Sequence, residues 1–246
     1  MSSNRFHQYT KLSYELTPEK LAEIRRELIE DSKKPNAERE INLTEGLEYK
    51  ITPLQFAIQR SGSGSCPKHQ ALIALYLEFS DFTIEGKYGS ALHYAAMYPA
   101  CGPEVVKTIA TRNPELMKKP KDQLLPLHQA AASDTTGKCV AALIEAKADV
   151  AARTRDDHWT ALHHASFANN MKSAKVLLEH KANKAAMNRH GETPTTISHY
   201  WRGNLHESVF FYLSKTKASE LKKEHEAKKV MEGKNHEEVV AFIKRF

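Results

Sequence analysis

Thr160-Ala161-Leu162-His163-His164-Ala165 is the stretch on which the reading of this chain turns. The same pattern stands at Ser90-Ala91-Leu92-His93-Tyr94-Ala95 and at Leu125-Pro126-Leu127-His128-Gln129-Ala130. Weaker copies stand at Thr52-Pro53-Leu54-Gln55-Phe56-Ala57 and Thr193-Pro194-Thr195-Thr196-Ile197-Ser198. From start to start the copies are 38, 35, 35 and 33 residues apart. A unit this short cannot bury its own apolar surface, so successive copies must stack into one continuous core.

Each position has a physical role. The Thr or Ser can cap a short helix by accepting from backbone N–H groups that lack a partner. Pro fits the first helical turn, where no donor is needed. Leu and Ala give one narrow apolar face that lets neighbouring units approach closely. A second, longer helix then carries the larger hydrophobes: Val140, Leu143 and Ile144 in the third copy, Val176, Leu177 and Leu178 in the fourth. Asn169 stands where such a helix pair needs a left-handed residue, which Asn tolerates.

A period near 33 with the signature T-P-L-H-x-A resembles the ankyrin repeat. The segments Lys147-Ala148-Asp149-Val150-Ala151-Ala152 and Lys181-Ala182-Asn183-Lys184-Ala185-Ala186 are similar to that family's G-A-D-V-N-A exit into a β-turn finger. The resemblance implies an all-α solenoid of helix–turn–helix pairs with β-turn fingers and a helical cap at each end. It divides the chain into an N-terminal capping helix and linker (1–50), five repeats (51–216) and C-terminal capping helices from a degenerate sixth repeat (217–246). It also implies that the motif histidines His93, His128 and His163 hydrogen-bond backbone across neighbouring repeats.

Composition narrows the class. The chain has 246 residues, 41% of them hydrophobic, and a net charge of +6. The charge is poorly segregated: from Lys215 onward nine Lys or Arg stand against six Glu. Mixed signs along a helix read as a solvated face, so no nucleic-acid partner is expected. Three widely spaced cysteines, an odd number, argue against a disulfide framework and for a reducing compartment, here the cytoplasm. Cys66 and Cys101 lie in turns of adjacent repeats and could meet. No apolar run approaches eighteen residues, so neither a membrane span nor a signal peptide is expected.

At the N-terminus, Thr17-Pro18-Glu19-Lys20 opens a helix whose apolar stripe is Leu21, Ile24, Leu28 and Ile29, read as a cap over the first repeat. Ser61-Gly62-Ser63-Gly64-Ser65-Cys66-Pro67 inserts about seven residues into the first repeat's turn. No strand precedes it and no Lys-Ser/Thr ends it, so it reads as a flexible turn and not a phosphate loop. Tyr98 to Pro103 lengthens the second turn, and Ser133-Asp134 replaces the Gly-His the family prefers in the third. At the far end, Asn235 to Ile243 resembles an outer helix, behind the Lys/Glu-rich stretch Ser219 to Glu232.

The sequence contains no nucleophile elbow, H-E-x-x-H, paired C-x-x-C or dinucleotide fingerprint. No enzyme, cofactor or metal is therefore expected. The informative departures fall where the scaffold leaves residues free, at the finger tips and just beyond each motif. Tyr98, Trp159, Phe167, Tyr200 and Trp201 supply aromatic anchors, and Lys121, Arg155, Asp157, His158, Arg189 and His190 supply a polar rim. Aromatic anchors with such a rim have the composition of a binding hot spot. The expected function is a non-catalytic, monomeric scaffold that takes a protein or peptide on its concave face. The alternative is a bacterial type IV-secreted ankyrin effector acting inside a host cell, since Glu220 to Phe246 resembles a translocation signal.

Overall fold

The computed structural model describes residues 5–11, 15–42, 50–61 and 66–198. The expected C-terminal cap, the segment compared with a translocation signal, and Tyr200 and Trp201 all lie outside the described residues.

The described residues form an all-α solenoid. Its inner row is α1 (Arg5–Lys11), α3 (Pro53–Arg60), α5 (Ala91–Met97), α7 (Pro126–Ser133), α9 (Ala161–Phe167) and α11 (Pro194–Ser198), each packed on the next. The outer row is α2 (Pro18–Ser32), α4 (Pro67–Phe79), α6 (Pro103–Arg112), α8 (Lys138–Glu145) and α10 (Met171–Glu179). Among the described residues there is no strand. Isolated antiparallel bridges, Gly86 to Gly89, Lys121 to Leu124 and Arg153 to Thr160, pin the fingers instead.

The core follows the motif register. Leu54, Leu92, Leu127 and Leu162 are buried at the Leu position, and Ala57, Ala95, Ala130 and Ala165 at the final Ala. Phe6 of α1 is buried too, one residue before His7, so α1 and α2 cover the first repeat as a further helix pair. Ile24 and Leu28 face that core, whereas Ile29 is exposed.

Polar links run along the inner row. In α9 the His163 Nδ1 accepts from the Thr160 N–H at 3.1 Å, and its Nε2 donates to the Glu192 carbonyl of the next repeat at 3.2 Å. In α7 the His128 Nδ1 accepts from the Leu125 N–H at 3.2 Å and its Nε2 donates to the Ala152 carbonyl at 3.1 Å. Gln55 does the same work with an amide: Oε1 accepts from the Thr52 N–H at 3.0 Å and Nε2 donates to the Ile84 carbonyl at 2.7 Å. His93 makes the first contact, to the Ser90 N–H at 3.3 Å, but its Nε2 reaches no partner at hydrogen-bond geometry. These links satisfy carbonyls that stacking would otherwise bury dry.

The capping expectation needs one correction. The Thr52 hydroxyl does accept from the Gln55 N–H, at 3.3 Å. The hydroxyls of Ser90 and Thr160 instead pair with the imidazole Nδ1 of His93 and His163, at 2.9 and 2.8 Å. A ring nitrogen three residues on competes for the hydroxyl that a Gln side chain leaves to the backbone.

Left-handed residues end three helices. Asn169, Lys147 and Lys181 have φ of 50°, 75° and 64°. The following N–H groups fold back in each case: Asn170 to the Ala165 carbonyl at 2.8 Å, Ala148 to Leu143 and Ala182 to Leu177 at 2.9 Å each. This is the Schellman arrangement, adopted without glycine. In the third repeat the buried Asp134 carboxylate accepts from the Thr136, Cys139 and Val140 N–H groups at 2.9, 2.6 and 3.2 Å, and so caps α8.

Candidate partner-binding site

The third repeat's finger, Lys121–Leu124, and the fourth's, Arg153–Thr160, frame a depression on the described surface. The first is a tight turn in which Lys121 and Leu124 exchange backbone hydrogen bonds at 2.9 Å, with Asp122 and Gln123 at φ of 47° and 71° between them. Two positive φ values mark a type I′ turn, whose twist matches its flanks and aims the tip residues outward. The second finger closes through Thr154 N–H to the Trp159 carbonyl at 2.8 Å and Trp159 N–H to Thr154 Oγ1 at 2.9 Å.

The Gln123 side chain ties the two tips together. Its Nε2 donates to the Asp156 carboxylate, and its Oε1 accepts from the Asp156 N–H at 3.3 Å. On the far side, Arg153 donates to the Met187 carbonyl at 2.6 Å, and the Arg189 N–H to the Asp157 carbonyl at 2.9 Å. Three consecutive fingers are thus laced into one ledge.

Between the first two lies an open cleft of about 310 Å³, lined by Asp122, Gln123, Leu124, Thr154, Asp157, Trp159 and His164. Trp159 is its half-buried aromatic wall. The ring packs on His163, His164 and Phe167 with centroid distances of 6.0, 5.1 and 5.6 Å. His164 also lies 5.2 Å from the His128 ring. Burial, reinforced by the neighbouring His128 and His163, pushes its pKa down to about 3, so the ring is neutral at physiological pH. Its Nε2 is buried without a hydrogen-bond partner.

Ankyrin repeats, in three copies, are the family model that the sequence matches, over residues 92–188 and 127–220, more than half of the chain. The chain belongs to the ankyrin-repeat family. It is also 30% identical over 116 residues to Inversin of Mus musculus. That match covers 47% of this chain and 10% of Inversin, so the chain spans only a small part of that relative's length. Ankyrin repeats are generally protein–protein interaction modules and typically non-catalytic.

Against this ankyrin frame, the residues expected at the site divide into groups. Trp159 and Asp157 line the cleft. Lys121 stands beside it, its Nζ 3.9 Å from the Asp122 carboxylate. Arg155, His158, Arg189 and His190 are exposed on the finger tips, with the His190 ring 4.0 Å from Asp157. Phe167 is 52% exposed against the edge of Trp159. Tyr98 is half-buried in an earlier repeat, where it stacks on Tyr94 at 6.4 Å and its hydroxyl accepts from Gln59 at 3.4 Å. It does not line the cleft.

Asp122, Gln123, Thr154 and His164 also line the cleft, and no motif in the sequence points to them. The doubled histidine was the available signal, but helical geometry shows only that His163 and His164 point apart. His163 turns into the stack and His164 toward the cleft.

Two of the three thiols are buried, and Cys66 is partly exposed. All three are free. Cys101 is buried with Cys139 as its thiol neighbour, and burial pushes the Cys139 pKa up to about 12. A thiol so held stays protonated and is a poor nucleophile. Among the described residues no three His, Cys, Asp or Glu side chains are arranged to hold a metal ion, and no helix is long and apolar enough to cross a membrane.

Proposed function

We propose that this ankyrin array is a non-catalytic scaffold that binds a protein or peptide segment across the ledge formed by its third to fifth fingers and the inner helices beneath them. The observation that carries the reading is the cleft walled by Trp159, set between finger tips that Gln123 and Asp156 hold in fixed register. A rigid, half-buried aromatic ring beside exposed Phe167, Arg155 and Arg189 provides area, shape and charge without costly reordering on binding. Three free thiols suit a partner met in a reducing compartment such as the cytoplasm.

The test is affinity capture with the full chain, followed by titration of the captured partner against Phe167→Ser and Arg155→Glu. Both side chains are exposed, so the variants should melt with the parent while binding weakens. A partner that binds both variants as tightly as the parent places recognition elsewhere on the array.

A further inference from the structure

We propose that the cleft between the third and fourth fingers is an arginine pocket, which seats one arginine side chain of the partner between the carboxylates of Asp122 and Asp157 and the ring of Trp159. The inference rests on the reading that this ledge binds a protein, and it names the side chain by which the partner is recognised.

Charge points to a cation. The chain carries a net charge of +6, yet both charged residues lining the cleft are carboxylates. Neither is well neutralised by its neighbours. Asp122 has an 81% exposed side chain and Lys121 only at 3.9 Å; Asp157 is 61% exposed with His190 only at 4.0 Å. Solvent screens pairs of that length, so both oxygens remain open to a better-placed donor. Asp156 differs, since the Gln123 amide already engages it. An acidic or phosphorylated side chain seated in the cleft would meet two like charges in its lining.

Shape and hydrogen bonding point to arginine over lysine. A planar guanidinium stacks on the Trp159 face and presents several N–H donors in a fixed fork, matching two carboxylates at once. An ammonium offers a compact point charge and cannot stack. The floor fits as well. His164 lines the cleft as a neutral ring and so does not repel a cation. At about 310 Å³ the cleft is at the low end of whole-ligand sites, which suits one long side chain.

The experiment uses the full chain and four blocked pentapeptides, Gly-Gly-Xaa-Gly-Gly with arginine, citrulline, lysine or glutamate at the centre, followed by NMR. The arginine peptide should shift the Trp159 indole N–H and the Gln123 and Leu124 amides saturably. Citrulline, equal in shape but uncharged, should bind at least about tenfold more weakly, lysine should fall between, and glutamate should not bind. The double variant Asp122→Asn, Asp157→Asn should melt like the parent and lose the arginine response.

Equal binding of citrulline and arginine overturns the proposal, because that comparison needs no variant. So does a double variant that binds as the parent does, a response confined to other residues, or no saturable shift at all. Should a captured partner still depend on Phe167 and Arg155 while the arginine peptide fails, the pocket is wrong and the scaffold reading stands.

Discussion

The Nε2 of His7 lies 2.9 Å from the carbonyl oxygen of Ile51, forty-four residues away in the chain. Because a carbonyl only accepts, Nε2 carries the proton and donates. Ile51 directly precedes the Thr52 motif, as Glu192 precedes the Thr193 motif, and His163 makes the corresponding bond to Glu192. The N-terminal helix is therefore joined to the array by the link that joins repeats to one another.

Replacing His7 by Ala leaves the Ile51 carbonyl dry at the α1–α3 contact. The cost of an unsatisfied buried acceptor is about 1–3 kcal/mol, so the melting temperature should fall. Hydrogen exchange should quicken in α1 and α3 before it changes in α9. Uniform protection in the variant would show that the bond contributes nothing.

Acid should unfold the chain through its buried imidazoles. Burial lowers the pKa of His163 to about 4 and of His164 to about 3, from an ordinary 6.5, and lowers His93 and His128 as well. The unfolded chain binds these protons near pH 6.5, while the folded chain resists them. Stability is complete above that pH and is lost as pH falls toward 4, by about 2–3 kcal/mol per pH unit from His163 and His164 alone. Urea midpoints should be flat from pH 8 to 7 and drop steeply by pH 5. His164→Asn should flatten the slope, and pH-independent midpoints would mean that the rings ionise within the fold.

The stacking was legible because burial repeats with the motif: one Leu, one Ala and one polar linker per inner helix. The helix α1 was not, because Asn4-Arg5-Phe6-His7-Gln8-Tyr9 has neither the Pro, the Leu nor the final Ala of the motif. His7 also stands forty-eight residues before Gln55, well outside the period of the other copies. Trp159 and Asp157 could be placed from their distance to the motif. Asp122 and Gln123 could not, since their turn takes two left-handed residues without the Asn-Gly or Asp-Gly that usually announces one. The structure sets Cys139 beside Cys101, a pairing that turn positions alone do not give, because α6 and α8 pack on each other.

Lys147 should stabilise the array less than glycine would. Its φ of 75° crowds a Cβ against the chain, and its side chain is exposed and plays no part in the Schellman bonds, which are backbone to backbone. Glycine removes the strain but adds freedom to the unfolded chain, so the net gain should be modest, up to about 1 kcal/mol. Lys147→Gly should raise the melting temperature and Lys147→Val should lower it. A glycine variant that melts earlier would show that unfolded-state freedom outweighs the strain.

Trp159 should respond to truncation in two ways at once. An exposed anchor can be cut to Ala with little loss of stability, and Phe167, 52% exposed, should behave so, within about 0.5 kcal/mol. Trp159 is only half-buried, but its ring covers His163 and His164, which lie over the α7–α9 contact. Removing it opens the cleft floor to water and gives up contacts on three rings, short of the about 3–5 kcal/mol of a fully buried indole. We expect Trp159→Ala to lose about 1–3 kcal/mol in urea unfolding and, once a partner is in hand, to lose binding as well. Trp159→Phe keeps the contact with His164 but shortens the wall, so it should recover most of the stability and little of the binding. That split separates the two roles: a phenylalanine variant restored in both respects would make the indole a packing residue, with recognition carried by the finger tips alone.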